Sequence, residues 1–371
     1  MRRAAWAPLA LLAALLCCSA TALAQEGEGP SYAVQASVKT LPLADLPGVV
    51  RLDCPGRPRG SGSAPDEVAQ VAPLGGRVML VSERWGRLYR PGVAKPLWSG
   101  RVDGVWTLSP DGRKLAVATH GGVTLTDLEH PRRTRWFAAA GTPRPLFSRD
   151  SRRLLIIDEQ LELITHRLDK HAPPSRARLF RGGAMLDYAY LFPDGRTLFF
   201  TLLRTAGNGS TYCRDLPTGR TGLVTAFSGV DWSARYRVSW NGQFVWSSAR
   251  LPDSRLLETV ALVTGLGVRG ESDAPIVLSP LASFDSQRTV PAVASVGNAT
   301  AYAYRDRLEL FDLVERVVTR IEGWPVAAGG DSPTPIGFLE PQKQLAVLVG
   351  TSIYLLPVGM RAPSPPAGGM P

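Results

Sequence analysis

Lysine, histidine and cysteine are scarce in this 371-residue chain, and each shortage removes a class of function. Only five of the 42 basic residues are lysine: Lys39, Lys95, Lys114, Lys170 and Lys343. The arginines lie scattered among acids, with HPRRTR (130–135) and RDSRR (149–153) the only dense groups. No aromatic-basic stripe recurs at a regular spacing, which argues against a nucleic-acid partner. The four histidines, His120, His130, His166 and His171, form neither a His-x-x-x-His nor a His-Glu-x-x-His pattern. No metal site and no cofactor are therefore assigned. A Gly-x-Ser-x-Gly elbow is also missing, since GSGSAP (60–65) reads as linker. The glycine-rich GNGS (207–210) and TGLGVRG (264–270) precede no helix that would cradle a phosphate. No catalytic residue is assigned.

Long apolar runs are absent too, apart from one at the amino terminus. MRRAAWAPLALLAALLCCSATALAQ joins a basic start, Arg2-Arg3, to an apolar stretch from Ala4 to Cys18 and a small-x-small site, Ala22-Leu23-Ala24. That is the pattern of a secretory signal peptide over residues 1–24, cleaved after Ala24. Lipid anchoring at Cys17 or Cys18 is the weaker alternative, because no small residue directly precedes Cys17. The processed chain is expected to be periplasmic or secreted and to hold no transmembrane segment. It keeps two cysteines, Cys54 and Cys213, as candidates for a disulfide in an oxidising compartment. Its formal charge, +10 before the two signal arginines are lost, implies at most a weak attraction to anionic surfaces.

What is present is a repeat. LSPDGRKLAVATHGGVTLTDLEH (108–130) holds a turn and two strands, and FSRDSRRLLIIDEQLELITHRLD from Phe147 and LFPDGRTLFFTLL from Leu191 follow the same plan. Looser copies begin at Val238, Ala294 and Phe338, and an upstream copy at Ala72. Gly75, Gly112, Ser151, Gly195, Gly242, Ala299 and Lys343 take equivalent positions, 37 to 57 residues apart. Four short strands fill such an interval, and no 3.6-residue period persists over three turns. The expected fold is all-β, a β-propeller of seven blades with four antiparallel strands each; the 57-residue interval leaves room for a long loop or an eighth blade. Asp111, Gly112, Asp194, Gly195, Asn241 and Gly242 are expected to be structural turn residues, the acids capping amides and the glycines accepting positive φ. Asp127, Asp215 and Asp312, after third-strand candidates, are read in the same way.

LSPDGRKLAVAT, LFPDGRTLFF and the Asp-Leu that ends the following strand resemble the WD40-like repeat of TolB-type periplasmic β-propellers. The resemblance covers roughly 70 to 360, and it implies a fold rather than an activity. Residues 25–69 are too few for the separate α/β domain of TolB proteins. They are expected to supply a ring-closing strand, from 31–43 or 48–54, and a flexible linker, with the propeller over 70–360 and a disordered Pro/Gly-rich tail over 361–371. The expected function is a non-enzymatic protein-binding or scaffold module of the bacterial cell envelope, with a protein as its partner. Arg84, Trp85 and Arg87, at a hairpin tip in SERWGRLYRPG, are the candidate binding residues. The alternative is an envelope enzyme or carbohydrate-binding propeller with its site in the central channel.

Overall fold

The computed structural model describes residues 31–32, 36–53, 69–82, 84–93, 95–204, 209–227, 236–238, 242–250, 256–266, 276–286, 293–296, 299–304, 307–312, 315–325, 333–350 and 352–358. Seven sheets account for nearly all of them, and the one helical element among them is a 3-10 turn at Leu43–Asp45. No helix among the described residues is long and apolar enough to cross a membrane.

Four sheets are simple four-stranded meanders. The first comprises Ala69–Ala72, Arg77–Ser82, Trp85–Tyr89 and Trp98–Arg101; the second, Val105–Leu108, Lys114–Thr119, Gly122–Asp127 and Thr134–Ala138. The third comprises Arg144–Phe147, Arg153–Ile157, Glu162–Arg167 and Ser175–Arg178; the fourth, Met185–Leu191, Thr197–Leu203, Gly209–Asp215 and Thr221–Phe227. Alternation along these strands sends successive side chains to opposite neighbours, so the inner strands of these sheets are buried on both faces, while the outermost strands stay largely exposed. Leu155, Ile157 and Leu163 of the third sheet meet Leu198 and Phe200 of the fourth, while Leu154, Ile156 and Ile164 meet Ala116, Val123 and Phe137 of the second.

The other three sheets recruit the amino-terminal segment. The fifth has Tyr236–Val238, Phe244–Arg250, Leu256–Leu266 and Ile276–Ser286, with Ser31–Tyr32 paired along its outer edge. Its two 11-residue strands take up much of the long interval between Gly242 and Ala299. The sixth has Val293–Val296, Ala299–Tyr304, Arg307–Asp312 and Val317–Glu322, and Ser37–Pro42 adds a parallel fifth strand. In the seventh, Thr334–Leu339, Gln344–Val349 and Ser352–Pro357 are completed by Val50–Asp53. One continuous segment thus runs outside three neighbouring sheets, covering edges that would otherwise offer unpaired backbone groups.

Innermost strands pack side by side, and Thr334–Leu339 returns to Ala69–Ala72, so the sheets form a ring. Chain order and closure together make the fold a β-propeller. Two anchor positions need correction. Ala299 is the first residue of a strand, paired with Val296, rather than part of a turn. In the first sheet positive φ falls at Gly76 (59°) and not at Gly75, because Gly76 donates its amide hydrogen to Ala72 O and closes a wider turn.

Candidate functional site

An up-and-down meander sends its connections to two opposite faces. One face collects the turns between first and second strands and between third and fourth; the other collects the remaining hairpins and the crossings between sheets. The two faces differ in chemistry.

On the first face the carboxylates belong to turns. Asp111 accepts the Arg113 amide at 3.0 Å and the Ser109 hydroxyl at 2.6 Å, and Gly112 follows at φ 69°. Asp194 accepts the amides of Arg196 and Thr197 at 2.8 and 2.9 Å, ahead of Gly195 at φ 63°. Gly242 has φ 71°, and Asn241 lies outside the described residues. Asp127 caps Glu129 and His130, Asp215 caps Thr218, and Asp312 caps Glu315. Burial raises the Asp127 carboxyl, but the donated amides of His130 and Glu129 outweigh it and hold the group below its ordinary value.

These turns also bind one another around the channel mouth. Glu340 N–H donates to Pro73 O at 2.9 Å, Leu74 and Gly75 N–H donate to Pro110 O at 3.0 Å, and Asp111 N–H donates to Ser151 Oγ at 3.1 Å. Turns of the seventh, first, second and third sheets are linked in sequence. Arg149 of the third then reaches Glu340 of the seventh at 3.5 Å, although two sheets separate them along the ring. Charge pairing and turn geometry account for the carboxylates named on this face, and no nucleophile and base are paired among them.

The opposite face carries the Trp85 hairpin. Ser82 pairs with Trp85, so two residues make the turn, and a two-residue hairpin demands positive φ. Glycine meets that demand in the second sheet (Gly121, 92°) and the seventh (Gly350, 56°). In the first sheet Arg84 takes it, at φ 74°. Trp85 follows, 49% exposed. Leu88 packs toward the second sheet and Tyr89 toward the seventh, so alternation turns Trp85 and the half-buried Arg87 toward the seventh.

Two residues that sequence reasoning missed complete the cluster. Arg101 lies directly across from Trp85 in the neighbouring strand. Asp103, in the crossing to the second sheet, forms an ion pair with Arg101 and a longer one, at 3.8 Å, with Arg84. Val105 stands exposed just beyond Gly104, where a Cβ would collide with the Ala118 carbonyl. The result is an exposed indole flanked by two outward guanidiniums, with one carboxylate aligning them. Such a patch can grip a partner by stacking, cation–π contact and bidentate pairing with carboxylates. Gly104, between Asp103 and Val105, has φ 136°.

Other polar candidates are committed to packing. Cys213 is a free thiol, wholly buried among Tyr188, Phe199 and Val245, and burial pushes it up to about 12. Cys54, named with it as a disulfide candidate, lies outside the described residues. His166 sits half-buried against Phe137, ring centroids 4.3 Å apart. Among the described residues no three His, Cys, Asp or Glu side chains are grouped as metal ligands would be. Trp106 and Trp324 are core residues, whereas Trp136 is exposed on the outer strand of the second sheet.

No family model matches the sequence, and no curated protein matches it. Solved structures do match in fold. The Cps50 (Swd1) β-propeller domain of Myceliophteria thermophila superposes with a TM-score of 0.54 at 15% identity, over 78% of this chain and 96% of that one. Raptor of Chaetomium thermophilum gives 0.53 at 12% identity, over 85% of this chain but only 29% of Raptor. TolB of Acinetobacter baumannii gives 0.40 at 16% identity, over 57% of this chain and 52% of TolB. At such identities the likeness is one of fold alone: the chain is a β-propeller, similar in fold to the Cps50 (Swd1) propeller domain.

Proposed function

We propose that the protein is an exported, non-enzymatic β-propeller that serves as a protein-binding scaffold in the bacterial cell envelope. Its binding surface is the face bearing Trp85, with Arg84, Arg87 and Arg101 around it. The observation that carries this reading is the pairing of an exposed indole with a strained, exposed arginine. Arg84 has 75% of its side chain in solvent and holds a backbone conformation that glycine would adopt freely. Arg84 differs from Leu161, which has φ 58° but is buried, in that no packing holds it there, so a role other than folding is the natural reason for it. Its partner should present an acidic, partly apolar segment, matching the two guanidiniums and the indole. The signal-peptide pattern at residues 1–24 supports the exported address.

A photo-crosslinking residue at position 85, introduced in cells with an intact envelope, tests the surface; the same residue at the exposed position 132, in a turn of the first face, is the control. One stoichiometric adduct is expected from position 85 alone, weakened by Arg101→Ala. Identical adducts from both positions, or none, overturn the reading. Mass spectrometry of the extracytoplasmic fraction should find a mature terminus at Gln25. An uncleaved chain in the cytoplasm defeats the export claim.

A further inference from the structure

The cleft between the outer strands of the second and third sheets concentrates positive charge away from the Trp85 face. Arg135, on Thr134–Ala138, lies over the Phe137 ring, its guanidinium carbon 5.1 Å from the centroid. The imidazole of His166 packs on the same ring. Along the third sheet, Glu162 faces Arg178 in register and Ile164 faces Arg176, which places Glu162, His166, Arg176 and Arg178 on the side turned to Arg135. Glu162 pairs with Arg176 at 2.6 Å. Among the described residues Arg135 has no carboxylate partner, and Arg178 none for its side chain. Three guanidiniums therefore share one carboxylate. His166 Nε2 is shielded from solvent yet hydrogen-bonds to nothing among the described residues.

We propose that this cleft binds a phosphate group, held between the Arg135 and Arg176 guanidiniums with His166 Nε2 as a third donor. Donors converging from both walls suit a tetrahedral oxyanion, whereas a single guanidinium fork satisfies both oxygens of a carboxylate. The anion would fill the missing hydrogen bond of Nε2 and offset the excess positive charge. Phe137 holds Arg135 and His166 in place, so little ordering is needed on binding. Burial first, and then Arg135 and Arg176, keep the His166 imidazole below its ordinary pKa; Glu162, on the same side of the third sheet, is paired with Arg176. A bound phosphate reverses that balance, so its affinity should rise as pH falls. The phosphate could be free in solution or carried by a lipid headgroup.

The processed chain should be titrated with inorganic phosphate at constant ionic strength, following the His166 ring resonance and the heat of binding. Binding to vesicles containing phosphatidic acid should be compared with binding to phosphatidylcholine vesicles. Saturable binding that raises the His166 titration midpoint is expected, weakened at least tenfold in Arg135→Gln and in Arg176→Gln. Both substitutions are at exposed positions and should leave thermal unfolding unchanged. Binding of free phosphate alone identifies a small-anion site; Arg135-dependent binding to phosphatidic acid vesicles identifies a surface phosphate. The proposal is overturned if neither probe binds in a way that Arg135→Gln weakens.

Discussion

The carboxamide of Gln70 accepts the Leu108 amide hydrogen at 3.0 Å, and its other end donates to the Trp106 carbonyl at 3.2 Å. Both bonds cross from one innermost strand to the next, satisfying backbone groups on an edge where no further strand can pair. Gln70→Leu should destabilise the protein by about 1–3 kcal/mol by leaving a donor and an acceptor without partners. Gln70→Glu, compared at a pH low enough to keep the new carboxyl protonated, should cost less, since the neutral acid still accepts from Leu108 and can donate to the Trp106 carbonyl. Urea unfolding of the two variants decides the matter, and equal costs would show that packing rather than hydrogen bonding matters at this site.

Arg84→Gly should stabilise the fold by roughly 0.5–1 kcal/mol, because the positive φ no longer opposes a Cβ. The lost ion pair with Asp103 subtracts little, as the arginine is exposed and the separation is 3.8 Å. The same variant should bind its partner more weakly. A thermal unfolding midpoint at or below wild type would remove the argument from strain.

Cys213 should be inert in the folded protein and reactive once unfolded. Its buried thiol, pushed up to about 12, supplies almost no thiolate at neutral pH. A thiol-specific reagent added without reductant should label it in denaturant and not in native buffer. Failure to label even in denaturant would mean that Cys213 is bridged.

His166 should make stability fall with acid. Its folded-state pKa lies below the ordinary 6.5, so the unfolded chain takes up a proton first as pH drops. The stability is whole above about pH 6.5, is lost as pH falls from there toward the folded value, and does not fall further below it. Unfolding of wild type and His166→Leu at pH 7.5 and 5.5 should show a smaller pH effect in the variant. An unchanged pH effect would mean that His166 is not the responsible group.

The all-β ring was legible because its signals are local. Ser109-Pro110-Asp111-Gly112 and Phe192-Pro193-Asp194-Gly195 each encode a turn within four residues, and the strands beside them are short β-branched and apolar runs. Trp85 and its arginines were visible as a hairpin tip for the same reason. Arg101 and Asp103 were not, since their relation to Trp85 depends on which strands pair and in what register.

Local chemistry in the sequence therefore determined the repeating turn-and-strand unit and, through its recurrence, a propeller. Tertiary structure alone decided how the amino-terminal segment is shared among three sheets, because edge pairing depends on which backbone groups are left free after the ring forms. It also decided that Arg149 meets Glu340 across the channel mouth and that Arg135 shares a cleft with His166 and Arg176. Such contacts join residues remote in sequence: ring closure brings Arg149 to Glu340, and the packing of neighbouring sheets brings Arg135 to His166.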